Sequence, residues 1–514
     1  MSTSTRIIKN TWFLYLRMGI TFFVSLYTTR VILSTLGTSD FGIFNVIGGS
    51  IAMLGFLNST MANATQRFMS YAEGEGHLEN KRHVFNVSLI LHFIIGIATI
   101  FLLIAVMPLL FDGVLNIASE RIFSAKIIYY CLIASTFLTI INVPYDSVLN
   151  AHENMLLYSI IGVVESVLKL IIAFICVYTA SDKLIVYGIL MTCIPLLTLS
   201  FMKYYCHRHY NECLIAPVRY WDKRLLHDIF TFSGWNFLTA ISSLFTVQGI
   251  GIVLNHFFGT VLNAAQGIAN QVNAQLSAFS VNMMKAVNPV IVKKNASKDL
   301  QSMNKVTLAG CKFSTYLTML FAIPVILEIG FILRIWLKEI PEWTALFCVL
   351  QLIYSILIQT TNAASTAVYA SGHIKYYAIY KCIMNILPLV ATYVCFVVGG
   401  SPIWLYIPML VFMGLGGNIV IIIYAHKECD MSVAAYFSDV ITPVLFTTSF
   451  MIVLGIIPLI LLPDNFIRLI ACCFFTTFGM IISFKWKGMT FEEKDIIANI
   501  YNKLYTKIIG RSKQ

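Results

Sequence analysis

Residues 10–36 read NTWFLYLRMGITFFVSLYTTRVILSTL. An α-helix needs roughly 20 apolar residues to cross a hydrocarbon core about 30 Å thick, and this run exceeds that length. It follows Arg6 and Lys9 but is too long for the h-region of a signal peptide, and no small-x-small cleavage pattern ends it. It is expected to stay in the mature chain as a first membrane span. Lipid offers no partner to an open backbone N–H or C=O, so a segment of this kind is helical.

Working outward by the same rule gives about 14 spans, at 10–36, 41–71, 83–110, 121–148, 154–180, 183–205, 225–256, 260–291, 303–334, 342–370, 374–398, 402–426, 435–462 and 465–485. Composition agrees: of 514 residues 58% are apolar and 11% charged, with mean hydropathy +0.80. A soluble domain carries about 25% charged residues. A soluble core, a disordered chain and a nucleic-acid-binding protein are thereby excluded. The expected class is an all-α polytopic membrane protein.

The net charge of +11 is read as topology. With the N-terminus inside, most of the 35 basic residues, among them Lys81, Arg82, Arg219, Lys223, Arg224, Lys293 and Lys294, lie on the cytoplasmic side. Arg121, Lys126, Lys183, Arg334, Lys338 and Arg468 face the other way. Both termini are then cytoplasmic, and no loop is long enough to hold an extramembranous catalytic domain. Residues 206–224, with His207, Arg208, His209 and Trp221, read as a hinge-like cytoplasmic linker. Thr490 and Glu493 have capping-box spacing ahead of an apolar stripe, Ile496, Ile497, Ile500, Tyr501, Leu504 and Ile508, opposite Lys503 and Lys507.

An offset of 222 residues aligns Gly37-Thr38 with Gly259-Thr260, Leu78 with Leu300 and Val84 with Val306. The matches fall at equivalent turns six spans apart, which makes the repeat parallel. The expected organisation is a six-helix lobe (1–205), the linker (206–224), a second six-helix lobe (225–426), two further spans (427–485) and an amphipathic tail (486–514). The lobes are related by a pseudo-two-fold axis along the membrane normal.

Ionisable groups inside spans cost roughly 2.5–3.5 kcal/mol each, so each is a candidate. The basic ones are Arg17, Arg30, Arg67, Lys169, Lys285 and Lys312. Arg17 and Arg67 fall at similar depth on successive spans and together read as a cationic patch, with Arg30 about 220° round the first span from Arg17. Arg30, Arg67, Lys285 and Lys312 also lie near enough to a membrane face to snorkel. Asp146, Glu165, Lys169 and Glu328 are candidates for ion coupling, and Glu165 and Lys169 also have the favourable i, i+4 order of a pair. Gln266, Asn270 and Asn273 belong to an amide stripe on the span 260–291 that suits glycan hydroxyls or helix packing. Twelve cysteines show no Cys-x-x-Cys, and no nucleotide loop, HExxH or nucleophile elbow occurs. His207 and His209 lack partners for a metal, so neither a metal nor a cofactor is expected.

The opening Asn10-Thr-Trp-Phe-Leu-Tyr-Leu-Arg17, the turn Leu36-Gly-Thr-Ser-Asp-Phe-Gly-Ile-Phe44, Ala62-Asn-Ala-Thr-Gln-Arg-Phe68, and Ala264-Ala-Gln-Gly-Ile-Ala269 ahead of Asn288-Pro289 together resemble one family. It is the multidrug/oligosaccharidyl-lipid/polysaccharide (MOP) exporter superfamily, in its Wzx-type O-antigen and polysaccharide flippase branch. The resemblance implies a flippase of the bacterial inner membrane, moving undecaprenyl-pyrophosphate-linked oligosaccharide from the cytoplasmic to the periplasmic leaflet by alternating access. It also implies coupling to a cation gradient, H+ or Na+. Its partners would be that lipid-linked oligosaccharide and membrane lipids, with no nucleic acid. Guanidinium grips a diphosphate bidentately, which suits Arg17, Arg30 and Arg67 to this substrate. A multidrug exporter of the same superfamily is the first alternative, and a polytopic glycan polymerase or ligase the second.

Overall fold

The computed structural model describes residues 3–52, 55–111, 119–337, 340–490 and 493, and every regular element among them is helical. In order these are α1 (Thr3–Ala52), α2 (Gly55–Glu75), α3 (Leu78–Leu109), α4 (Ile122–Ala151), α5 (Met155–Tyr178), α6 (Lys183–His209) and α7 (Lys223–Phe258). They continue as α8 (Thr260–Ala296), α9 (Leu300–Leu327), α10 (Ile329–Trp336), α11 (Thr344–Gln359), α12 (Asn362–Ser371) and α13 (Lys375–Val397). Three runs of mixed helical turns complete the described part: α14 (Pro402–Cys429), α15 (Val433–Leu461) and α16 (Phe466–Gly488). Lys338 and the stripe expected from Ile496 to Ile508 lie outside the described residues.

Eleven of the described helices are long and apolar enough to cross a bilayer, and α11 with α12, bent by 43° at their junction, add a twelfth if the pair is one broken span. The expected count of about 14 differs because 41–71 and 260–291 fall on helices rich in Asn, Gln, Thr and Ser. Residues 41–52 continue α1 past a kink at Gly37 before α2 begins. The expected span 303–334 is broken at Glu328, just after Pro324, where α9 gives way to α10. Phe101, Phe123, Phe245 and Ile460 are more than two-thirds exposed in the isolated chain. A bilayer removes that cost, because its acyl chains cover such side chains.

Helix starts follow local chemistry. Asn154 and Asp299 accept from Leu157 N and Ser302 N at the starts of α5 and α9. The preceding turns match in backbone bonding, with Glu153 and Lys298 both at φ 57°. Gly37 (φ 78°, ψ 169°) and Gly259 (φ 78°, ψ −170°) share a conformation essentially closed to residues with a Cβ. These are the two glycines that the 222-residue offset aligns.

The described chain divides into two compact units, residues 10–237 and residues from 238 onward joined by those before 10. In the first unit, Met69, Phe85, Tyr145, Val148 and Met202 form a core toward the end that carries the α6–α7 segment. Ile47, Leu103, Ile128 and Tyr129 form another. The α6–α7 segment is strapped to α3: Asn86 donates to Leu214 O at 2.8 Å and accepts from Ala216 N at 2.9 Å, and Arg82 reaches Tyr220 Oη at 3.2 Å. In the second unit Ile250, Leu254, Phe347, Phe396 and Tyr406 are the central core residues.

Charges at the helix ends are paired. Arg121 bridges Asp40 and Asp182, and Asp182 also caps α6 through Leu184 N and accepts from Ser124 Oγ. Burial works to raise the Asp182 carboxyl, but Ser124, Arg121 and the cap amides outweigh it and hold it below the usual range. In the second unit Arg468 grips Glu328 bidentately, 2.8 Å on each arm, and contacts Asp464, which Arg334 also meets. Lys312 does not snorkel: it is 1% exposed and pairs with Glu493 at 2.6 Å. Glu493 also closes the expected capping box, accepting from Thr490 N at 2.8 Å.

Gly37→Ala and Gly259→Ala add a methyl that meets nothing within 4 Å, so their cost is backbone strain alone. Each is expected to destabilise by about 1–3 kcal/mol, measured as a lower unfolding midpoint in detergent, whereas Gly267→Ala, in open space within a helix, raises it. Glu493→Gln leaves a buried ammonium unpaired and is expected to cost about 3–5 kcal/mol. The double variant with Lys312→Met recovers most of that loss by the same measurement.

Candidate intramembrane site

Four helices of the first unit each turn one face toward a polar cavity of about 200 Å³. Helix α4 contributes Thr139, Asn142 and Asp146, α5 contributes Tyr158, Ile161, Gly162 and Glu165, α6 contributes Pro195 and Thr198, and α1 contributes Arg17. Steps of three and four residues put each set on one helix face. The Arg17 guanidinium carbon lies 4.6 Å from the centre of the Tyr158 ring. It also rests against the backbone of Gly162, where a Cβ would come within 2.0 Å of Nε. Glu165 accepts from Thr198 Oγ1 at 2.7 Å, and Asp146 from Asn142 Nδ2 at 3.1 Å. The cavity thus presents one guanidinium and two carboxylates, groups whose oxygens have the chemistry to take a proton or a small cation.

A second cavity in the same unit, about 470 Å³, is lined by Thr21, Ser25, Thr28 and Thr29 of α1, by Ser166 and Lys169 of α5, and by Tyr187. Thr28 and Thr29 donate to Val24 O and Ser25 O, which leaves hydroxyl lone pairs as the acceptors in that wall. Glu165 and Lys169 therefore line different cavities, and no ion pair joins them. The expected Arg17–Arg67 patch resolves into two settings. The Arg67 guanidinium lies over Phe68, Phe232 and Tyr71 at 4.7, 4.9 and 5.5 Å. Arg30 is exposed on α1.

In the second unit, Gln266 is buried, Asn270 exposed and Asn273 half-buried on α8. Asn273 accepts from Ser277, which in turn meets Ser355 of α11, and Asn288 accepts from Thr366 of α12. That part of the stripe joins helices. Lys285 is half-buried on α8. Glu328, with its side chain fully enclosed by the Arg468 clamp, ties α9 to α16. A third cavity, about 710 Å³, is walled almost wholly by Ile, Leu, Val and Phe from α9, α11, α14 and α15. π-helical turns at Met409–Gly416 and Phe437–Ile441 widen the helices beside it.

Asn142, Tyr158, Gly162 and Thr198 were not singled out from the sequence. The i, i+4 pair Asn142–Asp146 and the face shared by Tyr158, Gly162 and Glu165 were the available signals. Thr21, Ser25 and Thr28 likewise repeat at helical spacing.

No family profile and no curated protein matches the sequence. Solved structures do. A MATE transporter carrying a single proline-to-alanine substitution superposes with TM-score 0.71 at 15% identity, over 84% of this chain and 97% of that one. An outward-facing multidrug resistance MATE family transporter of the MOP superfamily gives 0.66 at 14%, over 85% and 97%. A MOP superfamily transporter from Pyrococcus furiosus Vc1, described by the reverse polarity of its binding pocket and the different function this suggests, gives 0.65 at 14%, again over 85% and 97%. The chain therefore has a MATE-like fold, all-helical and multi-pass.

Gly162→Ala is expected to destabilise by about 1–3 kcal/mol, because the methyl expels Arg17 from its seat. In an Arg17→Ala background the same change costs nothing measurable. A double-mutant cycle on the unfolding midpoint checks the coupling.

Proposed function

We propose that this chain is a lipid-linked oligosaccharide flippase. It moves an undecaprenyl-pyrophosphate-linked repeat unit of a polysaccharide or O-antigen from the cytoplasmic to the periplasmic leaflet of a bacterial inner membrane. The observation that carries the reading is the guanidinium of Arg17, held in a polar cavity on the apolar helix α1 by a glycine that leaves it room. A diphosphate is the chemistry such a group binds best. Arg67 supplies a second cation, with Arg30 of α1 and Lys285 of α8 as auxiliary ones. The hydroxyl-lined cavity at Lys169 and the amides Gln266, Asn270 and Asn273 suit sugars. The apolar cavity of the second unit suits a polyprenyl tail, which needs no polar partner.

In this reading α2 and α8 also cross the membrane, bringing the spans to about 14 in two parallel six-helix lobes plus two, and their amides are kept from lipid. Both termini are cytoplasmic by the distribution of Lys and Arg. Transport proceeds by alternating access, driven by a gradient of H+ or Na+. Asp146 and Glu165, which line the cavity, are the coupling groups, whereas Glu328 is committed to Arg468 and holds helices together.

A multidrug exporter is the second reading, favoured by those same carboxylates, since Asp146 and Glu165 would also attract an organic cation. Complementation separates the two. In a strain lacking its polysaccharide flippase, the wild-type chain is expected to restore surface glycan, without raising drug resistance. Arg17→Ala and Arg67→Ala should each lower glycan export about ten- to a hundredfold at equal protein level, the equivalent of a lost charge-assisted bond or two. Full export by both variants, or drug resistance without glycan, rejects the flippase.

A further inference from the structure

At one end of the first unit, three side chains distant in sequence meet. Glu73 stands in the last turn of α2, His152 directly follows α4, and Glu212 belongs to the segment between α6 and α7. His152 Nδ1 lies 3.5 Å from Glu73 Oε1, and His152 Nε2 contacts Glu212 Oε1. The ring is stacked on Tyr210, centroids 4.2 Å apart and 10° from parallel, which holds its plane. Glu212 is 3% exposed, an acidic group buried beside the imidazole. Lys81 of α3 takes the other oxygen of Glu73, at 2.8 Å.

This arrangement is built around a positive charge. A neutral imidazole has one N–H, so it can satisfy one of the two carboxylates and must turn a lone pair on the other. A divalent cation resolves the conflict with the ring neutral, accepting lone pairs from one nitrogen and two oxygens. One ligand atom from each residue lies within 4.8 Å of the others. Tetrahedral zinc, with bonds of about 2.0–2.2 Å, needs its ligands roughly 3.3–3.6 Å apart, which an adjustment of about 1 Å supplies. We infer that Glu73, His152 and Glu212 form a binding site for a borderline divalent cation of the zinc class, with solvent in the fourth position. The nitrogen donor selects against Mg2+, a hard cation that prefers oxygen. Its structural consequence is specific: the ion joins the α6–α7 segment to the ends of α2 and α4. Cation occupancy then governs how firmly the strap on α3 is held, a regulatory contact separate from the membrane-depth cavities. Sequence spacing carries no trace of the site, since its members are scattered over three segments. His207 and His209, the histidines the sequence draws attention to, take no part. His207 faces Phe85 and Tyr145, and His209 is bonded to Tyr205 O.

The test uses the full chain in detergent, stripped with EDTA and titrated with ZnCl2, following bound metal by equilibrium dialysis and stability by the unfolding midpoint. One zinc per chain is expected at micromolar free metal, with a rising midpoint and no response to MgCl2. His152→Gln and Glu212→Gln should each weaken binding at least about tenfold. Lys81→Met removes the cation that competes for Glu73 and should tighten binding severalfold, a gain that a damaged fold cannot produce. The inference is overturned by three results: no zinc bound below 100-fold molar excess, equal binding by His152→Gln, or a midpoint that follows pH alone and ignores zinc. The last would make the cluster a proton-held clasp.

Discussion

Charge inside a low-dielectric bundle has to be neutralised locally, and the arrangement of this protein follows from how each charge meets that demand. Water is not at hand to solvate a guanidinium or a carboxylate among helices packed in lipid, so a charge persists only beside an opposite charge, an aromatic face or a set of dipoles. Lys312 meets Glu493, Glu328 meets Arg468, and Arg121 meets Asp40 and Asp182. The pairs of Glu328 and Arg121 fasten helix ends, whereas Lys312 lies midway along α9. Arg67 has three aromatic rings around it, with the Asp228 carboxylate as an electrostatic partner.

Arg17 differs in kind. Its guanidinium shares a cavity with two carboxylates that are already hydrogen-bonded to Thr198 and Asn142, so its position depends on Tyr158 and on the absence of a side chain at Gly162. A structural ion pair would not need such an accommodation. The contrast between charges that close helix ends and charges that line cavities separates scaffold from candidate machinery in the first unit. In the second unit the large cavity is apolar, so the cavities of the two units differ in chemistry.

Much of the fold was legible. Apolar runs of sufficient length are helices because lipid allows little else, and their order in the structure matches the order read from sequence. The alignment of Gly37 with Gly259 picked out two positions with nearly the same backbone conformation, since only glycine tolerates it. The capping box at Thr490 was also local and therefore visible. The departures have physical causes. Helices α2 and α8 are continuous but rich in amides and hydroxyls, and the helix break at Glu328 follows Pro324 within an otherwise apolar run.

What the sequence by itself determined was the class of molecule, its helical elements and the short list of charges that must be explained. Each depends on composition or on neighbours within one or two turns. Only the tertiary structure decided the partners: that Glu165 turns to Thr198 rather than Lys169, that Lys312 is buried and paired with Glu493 rather than reaching for water, and that Arg17 and Arg67 have different neighbours. A helix fixes the direction of a side chain but not what stands opposite it. That depends on packing between segments tens or hundreds of residues apart, where one glycine or one aromatic ring decides which charge has room.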